Sequence, residues 1–300
     1  MLRKFFVGES RRIQLSWEHT ENISSNWWDI PAMTERWNTL ITGSPHISYQ
    51  QYATDRYLNT SKKLIGISLG CGSGDKEIEW VNQCKNLTLT GIDLSESRIR
   101  QAIKNSVLQS VNDRLKFQTG NVNDLRLPVR SLDLVIADGA LHHFHHLDSL
   151  LPKIHLWLKN DGIFIINEYV GPSRFQWTDE QLRVINGLLK TMPERFRLDS
   201  DGYRKTKVYR PGRLSMMISD PSEAVESERI EPLLKQYFTV SEVKPYGGMI
   251  LQNLLKGIAH HFIEGDTEAF LLLQSWCVIE DEYLRNGELR SDFMFFVCSK

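Results

Sequence analysis

Between Leu64 and Val170, short apolar runs alternate with longer amphipathic segments, and this rhythm constrains the chain more than any single motif. "LIGISLG", "LTLTGIDLS", "LKFQTGNV", "LDLVIADGAL" and "GIFIINEYV" read as strands. Between them, "DKEIEWVNQC", "SESRIRQAIKNSVLQS" and "SLLPKIHLWLKNDG" read as helices, the second opened by Ser95 as N-cap and the third closed near Gly162. Strands separated by helices need right-handed crossovers, and these give a parallel sheet covered on both faces. The expected class is a doubly wound α/β fold. "YFTVSEVKPYGG" and "DFMFFVCSK" read as two later strands.

Four segments are expected: a helical N-terminal lid over 1–60, a core over 61–170, a cap insertion over 171–235, and closing strands with an inserted helical pair over 236–300. The lid is rich in tryptophan, and Pro31 suits an early helical position. In the helical pair, Ile250, Leu254 and Ile258 share one stripe, and Leu272, Trp276, Ile279 and Tyr283 another. With 41% hydrophobic and 24% charged residues, a 300-residue chain can bury a full core. A formal charge of −1 gives no general attraction to nucleic acid or to an anionic membrane. No run approaches the ~20 apolar residues that span a bilayer, and the apolar run at the start is short for a signal peptide. Cys71, Cys84, Cys277 and Cys298 are scattered without a CxxC pair, as in reduced cytoplasmic proteins. The expectation is a cytoplasmic protein with a small-molecule or sugar partner and neither a nucleic-acid nor a membrane partner.

"SLGCGSGDKE" lies where the first strand turns into its helix. Gly70, Gly72 and Gly74 permit a tight turn and let backbone N–H groups approach a ligand closely. Dinucleotide enzymes use a related pattern, but Asp75 stands where their third glycine would fall, giving a pyrophosphate a negative neighbour. At the end of the second strand, Asp93 can accept both hydroxyls of a ribose, a feature common to NAD and S-adenosylmethionine sites.

With "LGCGSG", "GIDLS", "GNVNDL", "LDLVIADGALHHF" and "LKNDGIFIINEY" together, the chain resembles the class I S-adenosylmethionine-dependent methyltransferases, small-molecule branch. The resemblance covers Leu64 to about Val170 and the closing strands. It implies a Rossmann-like, seven-stranded, mostly parallel sheet with an antiparallel C-terminal strand, helical cap insertions, and S-adenosyl-L-methionine as cofactor. It assigns Gly70, Cys71, Gly72 and Gly74 to the methionine end, Asp93 and Leu94 to the ribose, and Asn121 and Val122 to the adenine. Asp138, Gly139 and Ala140 would face the methionine amino group through their backbone. One position departs from the pattern: the usual acid two residues before the first loop glycine is Ser68. Asp75 or Glu77 can supply that charge.

"HHFHH" follows the fourth strand directly, at the sheet edge where ligands bind in open α/β folds. If a helix began there, His142 and His146 would share a face, with Asp148 a weak third ligand, so no metal is expected. The plain alternative is a histidine-rich surface turn. An active-site role for His142 or His143 is favoured, because methylation of oxygen releases a proton and an imidazole with pKa near ~6.5 accepts it at neutral pH.

From Arg195 to Arg213 the chain holds Arg195, Arg197, Arg204, Lys205, Lys207, Arg210 and Arg213 against Asp199 and Asp201. Over a cofactor, that cluster would select an anionic acceptor such as a phosphorylated sugar; otherwise it is a solvated loop. Trp27, Trp28, Trp37 and Trp177 can stack on a ring or simply pack. The favoured function is S-adenosylmethionine-dependent methylation, at oxygen, of a small-molecule or sugar-type acceptor. An NAD-dependent oxidoreductase and a non-catalytic partner protein are the alternatives. "ADGA" replaces the NPPY-type tetrapeptide of base-flipping methyltransferases, and the following loop lacks the paired glutamates of protein-arginine enzymes.

Overall fold

The computed structural model describes residues 26–300. The part of the expected lid before residue 26 lies outside the described residues. Two helices, α1 (Pro31–Thr42) and α2 (Tyr49–Tyr57), precede the sheet, and Pro31 is the first residue of α1. The alternating region forms β1 (Leu64–Leu69), α3 (Asp75–Gln83), β2 (Leu87–Asp93), α4 (Glu96–Leu108), β3 (Leu115–Thr119), β4 (Leu132–Asp138), α5 (Leu147–Trp157) and β5 (Leu158–Tyr169). Ser95 caps α4 as expected, its hydroxyl accepting from the Arg98 N–H. After β5 come α6 (Asp179–Thr191), α7 (Arg213–Ser219), α8 (Ile230–Tyr237), β6 (Thr239–Gly247), α9 (Leu251–Leu255), α10 (His260–Ile263), α11 (Thr267–Asn286) and β7 (Phe293–Ser299).

The seven strands form one sheet in the order β3-β2-β1-β4-β5-β7-β6. Pairings among β1 to β5 are parallel, and β7 runs antiparallel to both β5 and β6. The period of two divides each strand between two cores. On β4, Val135 and Ala137 join a cluster with α5 and α8, while Leu134 and Ile136 join one with α2, α3 and α4. On β7, Phe296 and Cys298 face the first cluster, Phe295 and Val297 the second. Ile41, Ala53 and Leu58 belong to the second cluster, so part of the expected lid is built into the core.

A third cluster joins three segments far apart in sequence: Trp27, Ile30 and Met33; Val184, Ile185 and Leu189 of α6; and residues of α9 to α11. Glu280 ties them. Its buried carboxylate accepts from the Gly248, Ile250 and Leu251 N–H groups at 3.1, 2.9 and 2.9 Å, and pairs with Arg36 of α1 at 3.0 Å.

Two helices differ from expectation. The helix expected to close near Gly162 ends at Trp157, because Leu158 already pairs with Leu132 of β4. Between Leu158 and Ile163 the strand bulges, and a Cβ on Gly162 would sit 3.0 Å from the Leu132 carbonyl oxygen. The expected helical pair has a broken first member: α9 stops before Gly257, whose φ of +81° is left-handed, and α10 follows as one short turn. Ile250, Leu254 and Ile258 are nevertheless fully buried. No described helix is long and apolar enough to cross a membrane.

Candidate active site

The carboxyl ends of β1, β2 and β4 meet at a cavity of about 380 Å³. Gly70, Asp93, Leu94, Asn121, Val122, Gly139 and Ala140 line it, all of them singled out in the sequence. Cys71, Gly72, Gly74 and Asp138 do not line it. Cys71 is buried, with its thiol pushed far up by burial and by Glu77 and Asp93. Gly72 donates its N–H to Asp93 at 2.9 Å, and Gly74 stands at the N-cap of α3. Arg98, Phe144, His145 and His146 line the cavity without having been anticipated there.

Backbone geometry fixes which glycine matters. All three loop glycines have positive φ, the region glycine enters without steric cost. A Cβ on Gly70 would lie 2.6 Å from the Ala140 Cβ, so this residue forms the close floor of the cavity. A Cβ on Gly72 would meet only the Arg98 guanidinium, at 3.5 Å. Space is as tight at Gly74, where a Cβ would lie 2.6 Å from the Phe117 ring. Asp93 accepts the Gly72 N–H on one oxygen and the Ser95 N–H, at 2.8 Å, on the other. Each carboxylate oxygen keeps a lone pair for a further donor.

Beneath the loop, the Ser68 hydroxyl donates to Glu77 at 2.6 Å, and both residues are buried. Burial pushes the Glu77 carboxyl up to about 7, against the opposing bond from Ser68. Its second oxygen is buried and has no hydrogen-bond partner among the described residues. Asp75, the other candidate for the missing acid, instead faces the Asn105 amide at the surface.

Asp138, at the end of β4, is enclosed by protein donors: Tyr49 at 2.6 Å, Lys76 at 2.7 Å and Asn167 at 3.1 Å. The next residues do not begin a helix. Leu141–His143 form a single 3-10 turn, and α5 starts only after His146, whose φ is +61°. The expected His142–His146 face therefore does not exist. Glu168 on β5, a residue the sequence reading missed, holds the turn in place. One of its oxygens accepts the Ala140 and Leu141 N–H groups, at 2.9 and 2.6 Å. The other accepts the Tyr169 N–H at 2.7 Å and bonds His142 Nδ1.

That carboxylate sets the tautomer of His142. Against three N–H donors an ionised Glu168 can only accept, so Nδ1 carries the hydrogen and Nε2 keeps its lone pair. Burial depresses the His142 pKa, but the charge and hydrogen bond of Glu168, with Glu223 adding, outweigh it and hold the pKa above the ordinary value. His143 is driven the other way by burial and by His142, against a hydrogen bond to the Ser222 backbone. Glu223 comes from the cap, 3.7 Å from His142 Nε2 and 4.0 Å from His143 Nδ1. These three residues present potential ligand atoms within 4.8 Å of one another, whereas Asp148 is held by Arg229. Tetrahedral zinc places its ligand atoms only roughly 3.3 Å apart, a tighter set than this.

On the far side of the histidines lies a chamber of about 1170 Å³. His143 and Gly139 line both spaces, and His142 lines the chamber. Its wall is aromatic and continuous: Trp37 against Trp27 at 4.7 Å, Trp27 against Phe293 at 5.2 Å, Phe293 against Tyr169 at 5.3 Å, and Tyr169 against Phe175 at 5.1 Å. The basic insertion does not present a free cationic cluster to it. Arg195 pairs with Asp266 and Glu268, Arg204 with Glu194, and Arg210 with Asp179. Lys205 donates to the carbonyls of Asn253, Leu254 and Lys256, and burial lowers its pKa to about 7.

A family model described as "Methyltransferase domain" matches residues 60–236, more than half of the chain. The chain belongs to this methyltransferase family. Among curated relatives, it is 29% identical over 124 residues to 27-O-demethylrifamycin SV methyltransferase of Amycolatopsis mediterranei, covering 41% of this chain and 42% of the relative. It is 25% identical over 129 residues to phosphoethanolamine N-methyltransferase of Plasmodium falciparum, covering 42% and 46%. The chain thus spans less than half the length of these relatives. Its fold is that of geranyl diphosphate C-methyltransferase from Streptomyces coelicolor, solved with Mg2+, geranyl diphosphate and S-adenosyl-L-homocysteine (TM-score 0.56, 8% identity, 98% of both chains). Phosphoethanolamine N-methyltransferase 2 of Haemonchus contortus, solved with S-adenosyl-L-methionine, shares it too (TM-score 0.54, 14% identity, 96% of this chain and 60% of that one).

Proposed function

We propose that this chain is an S-adenosylmethionine-dependent methyltransferase that methylates an oxygen of a small molecule, with His142 as general base. The cofactor fits the smaller cavity: a floor that excludes any side chain at Gly70, and Asp93 with lone pairs to spare for a ribose; behind the glycine loop, outside the cavity lining, the buried acid Glu77 has one oxygen unused. When bound, it supplies a methyl group on a charged sulfonium. Everything else falls to the protein's own residues. The chamber holds the acceptor and keeps water away; positioning is the main contribution a protein makes to such a displacement.

One observation carries the reading: His142, its Nδ1 held by Glu168 so that Nε2 of the neutral ring is the free base, lines the chamber beside His143, which lines both spaces. As an acceptor hydroxyl becomes an ether, its proton passes to Nε2, and Glu168 stabilises the resulting imidazolium. The proton has a defined seat. Relatives that methylate oxygen, nitrogen and carbon all occur in the family, so the base is what favours oxygen here. Calorimetry tests the cofactor half: S-adenosylhomocysteine should bind, NADH should not, and Asp93→Ala should weaken the former on the order of tenfold or more, since charge-assisted hydrogen bonds contribute ~1.5–3 kcal/mol. Wild-type affinity in Asp93→Ala would overturn the placement.

A further inference from the structure

The chamber beyond His142 is larger than the ~300–1,000 Å³ usual for small-molecule sites, and what its polar groups are doing narrows what can fill it. Its charged side chains are largely engaged with protein. Lys76 holds Asp138, Arg204 holds Glu194, Lys205 caps three carbonyls, and Glu168 is saturated. The charge of Lys256 is offset by Glu223, which lines the same wall. Lys256 makes no ion pair among the described residues; the other unengaged polarity there is neutral. The indole N–H groups of Trp27 and Trp37, the Asn253 amide nitrogen and the Gln252 amide oxygen are buried without hydrogen-bond partners among the described residues, and all four side chains line the chamber. Three of these atoms are donors. Buried donors left unpaired are costly, so a ligand with accepting oxygens at those places satisfies them. The aromatic wall supplies flat, rigid apolar surface at little entropic cost.

Resting on the methyltransferase reading above, we propose that the methyl acceptor is an uncharged, ring-bearing, bulky molecule with several hydrogen-bond-accepting oxygens, an oxygenated polycycle or macrocycle. Its rings lie along the aromatic wall, its oxygens take the indole and amide donors, and the hydroxyl to be methylated points to His142. Among the described residues, the chamber offers a phosphorylated or otherwise anionic acceptor the Lys256 ammonium, with the Glu223 carboxylate near it.

Three probes that share a fused three-ring skeleton test this without turnover: 1-hydroxyanthraquinone, anthraquinone-1-sulfonate and anthracene. Each is titrated into full-length protein saturated with S-adenosylhomocysteine, and quenching of tryptophan fluorescence is read. The neutral oxygenated probe should bind one per chain, at least tenfold more tightly than the sulfonate or the bare hydrocarbon. Trp37→Phe keeps the ring and removes the donor, so it should reduce the preference for hydroxyanthraquinone over anthracene severalfold. Phe175→Ala should weaken both. Unchanged S-adenosylhomocysteine affinity confirms that each variant is folded. Equal or tighter binding of the sulfonate overturns the proposal, as does an oxygenated probe that binds no better than anthracene. Because no methyl is transferred, failure here leaves the cofactor reading standing, while failure to bind S-adenosylhomocysteine strikes that reading alone.

Discussion

At the scale of single residues, the acid missing from position 68 shows how the chain rearranges a charge. Ser68 leaves room beneath the glycine loop, and Glu77, two residues into the helix, fills it from the other side. We infer that Glu77 holds the cofactor's ammonium group. The sign of its pH dependence follows from the raised pKa of about 7: below that value the carboxyl is neutral and attracts no cation. Affinity for S-adenosylhomocysteine should therefore fall as pH drops from 8.5 to 6. Methylthioadenosine, which lacks the amino-acid end, should bind equally across that range. Glu77→Gln should weaken S-adenosylhomocysteine on the order of tenfold at pH 8, the scale of one charge-assisted bond, and flatten its profile. Calorimetry with both ligands decides it, and a flat wild-type profile would remove Glu77 from the site. The sequence offered Asp75 or Glu77 for the missing charge, both in one strand–loop–helix unit with Ser68, and the structure sets Glu77 against Ser68 and Asp75 at the surface. Glu168 and Glu223 were not legible in the sequence. They reach the histidines from 26 and 81 residues beyond His142 along the chain, and nothing local in "HHFHH" signals a carboxylate arriving from another strand.

Elements show the same division. All seven strands were legible: β1, β4, β5 and β7 carry near-continuous apolar runs, and β2, β3 and β6 alternate between more and less buried positions, patterns set by the strand itself. The helices that went wrong were decided by partners. Leu158 leaves the helical pattern to pair with β4, and the turn at Leu141–His143 is held by Glu168, which takes the Ala140 and Leu141 N–H groups from another strand. For the basic insertion the structure favours the solvated-loop alternative: Glu194 lies beside it in sequence, and Asp179, Asp266 and Glu268 reach it from α6, the N-cap of α11 and α11 itself. In the cap, Glu280 joins α1, the start of α9 and α11 through one ion pair and three backbone bonds. Its replacement by alanine leaves the Arg36 charge buried with Asp281 as its remaining ion-pair partner, and strands three N–H groups. Breaking a buried pair from one side costs about 3–5 kcal/mol. Glu280→Ala should lower the unfolding free energy in urea by that order, while Glu268→Ala on the exposed face of the same helix should change it by less than ~1 kcal/mol. Equal effects would mean that the cap is held by its apolar cluster alone.

For the whole molecule, the proposed function gives the sheet edge one partner and the cap the other; Gly139 and His143 line both spaces, and His142 lines the chamber beside them. Transfer across that boundary should therefore respond to His142 in a way that binding on either side does not. His142→Ala should lower kcat by roughly 10²–10⁴ while S-adenosylhomocysteine affinity stays within a factor of two or so. His146→Ala, at the start of α5 and away from the chamber, should cost far less. Because the base must be unprotonated to work, the wild-type rate should rise with pH through the His142 pKa, which Glu168 holds above the ordinary value of ~6.5. Glu168→Gln removes that charge and retains a side chain of the same shape. Its remaining activity should rise through a lower pKa, a displacement that mere loosening of the turn would not produce. Chelators should leave the rate unchanged. A rate abolished by chelator and restored by zinc would instead make His142, His143 and Glu223 ligands, with the proton lost from a metal-bound hydroxyl.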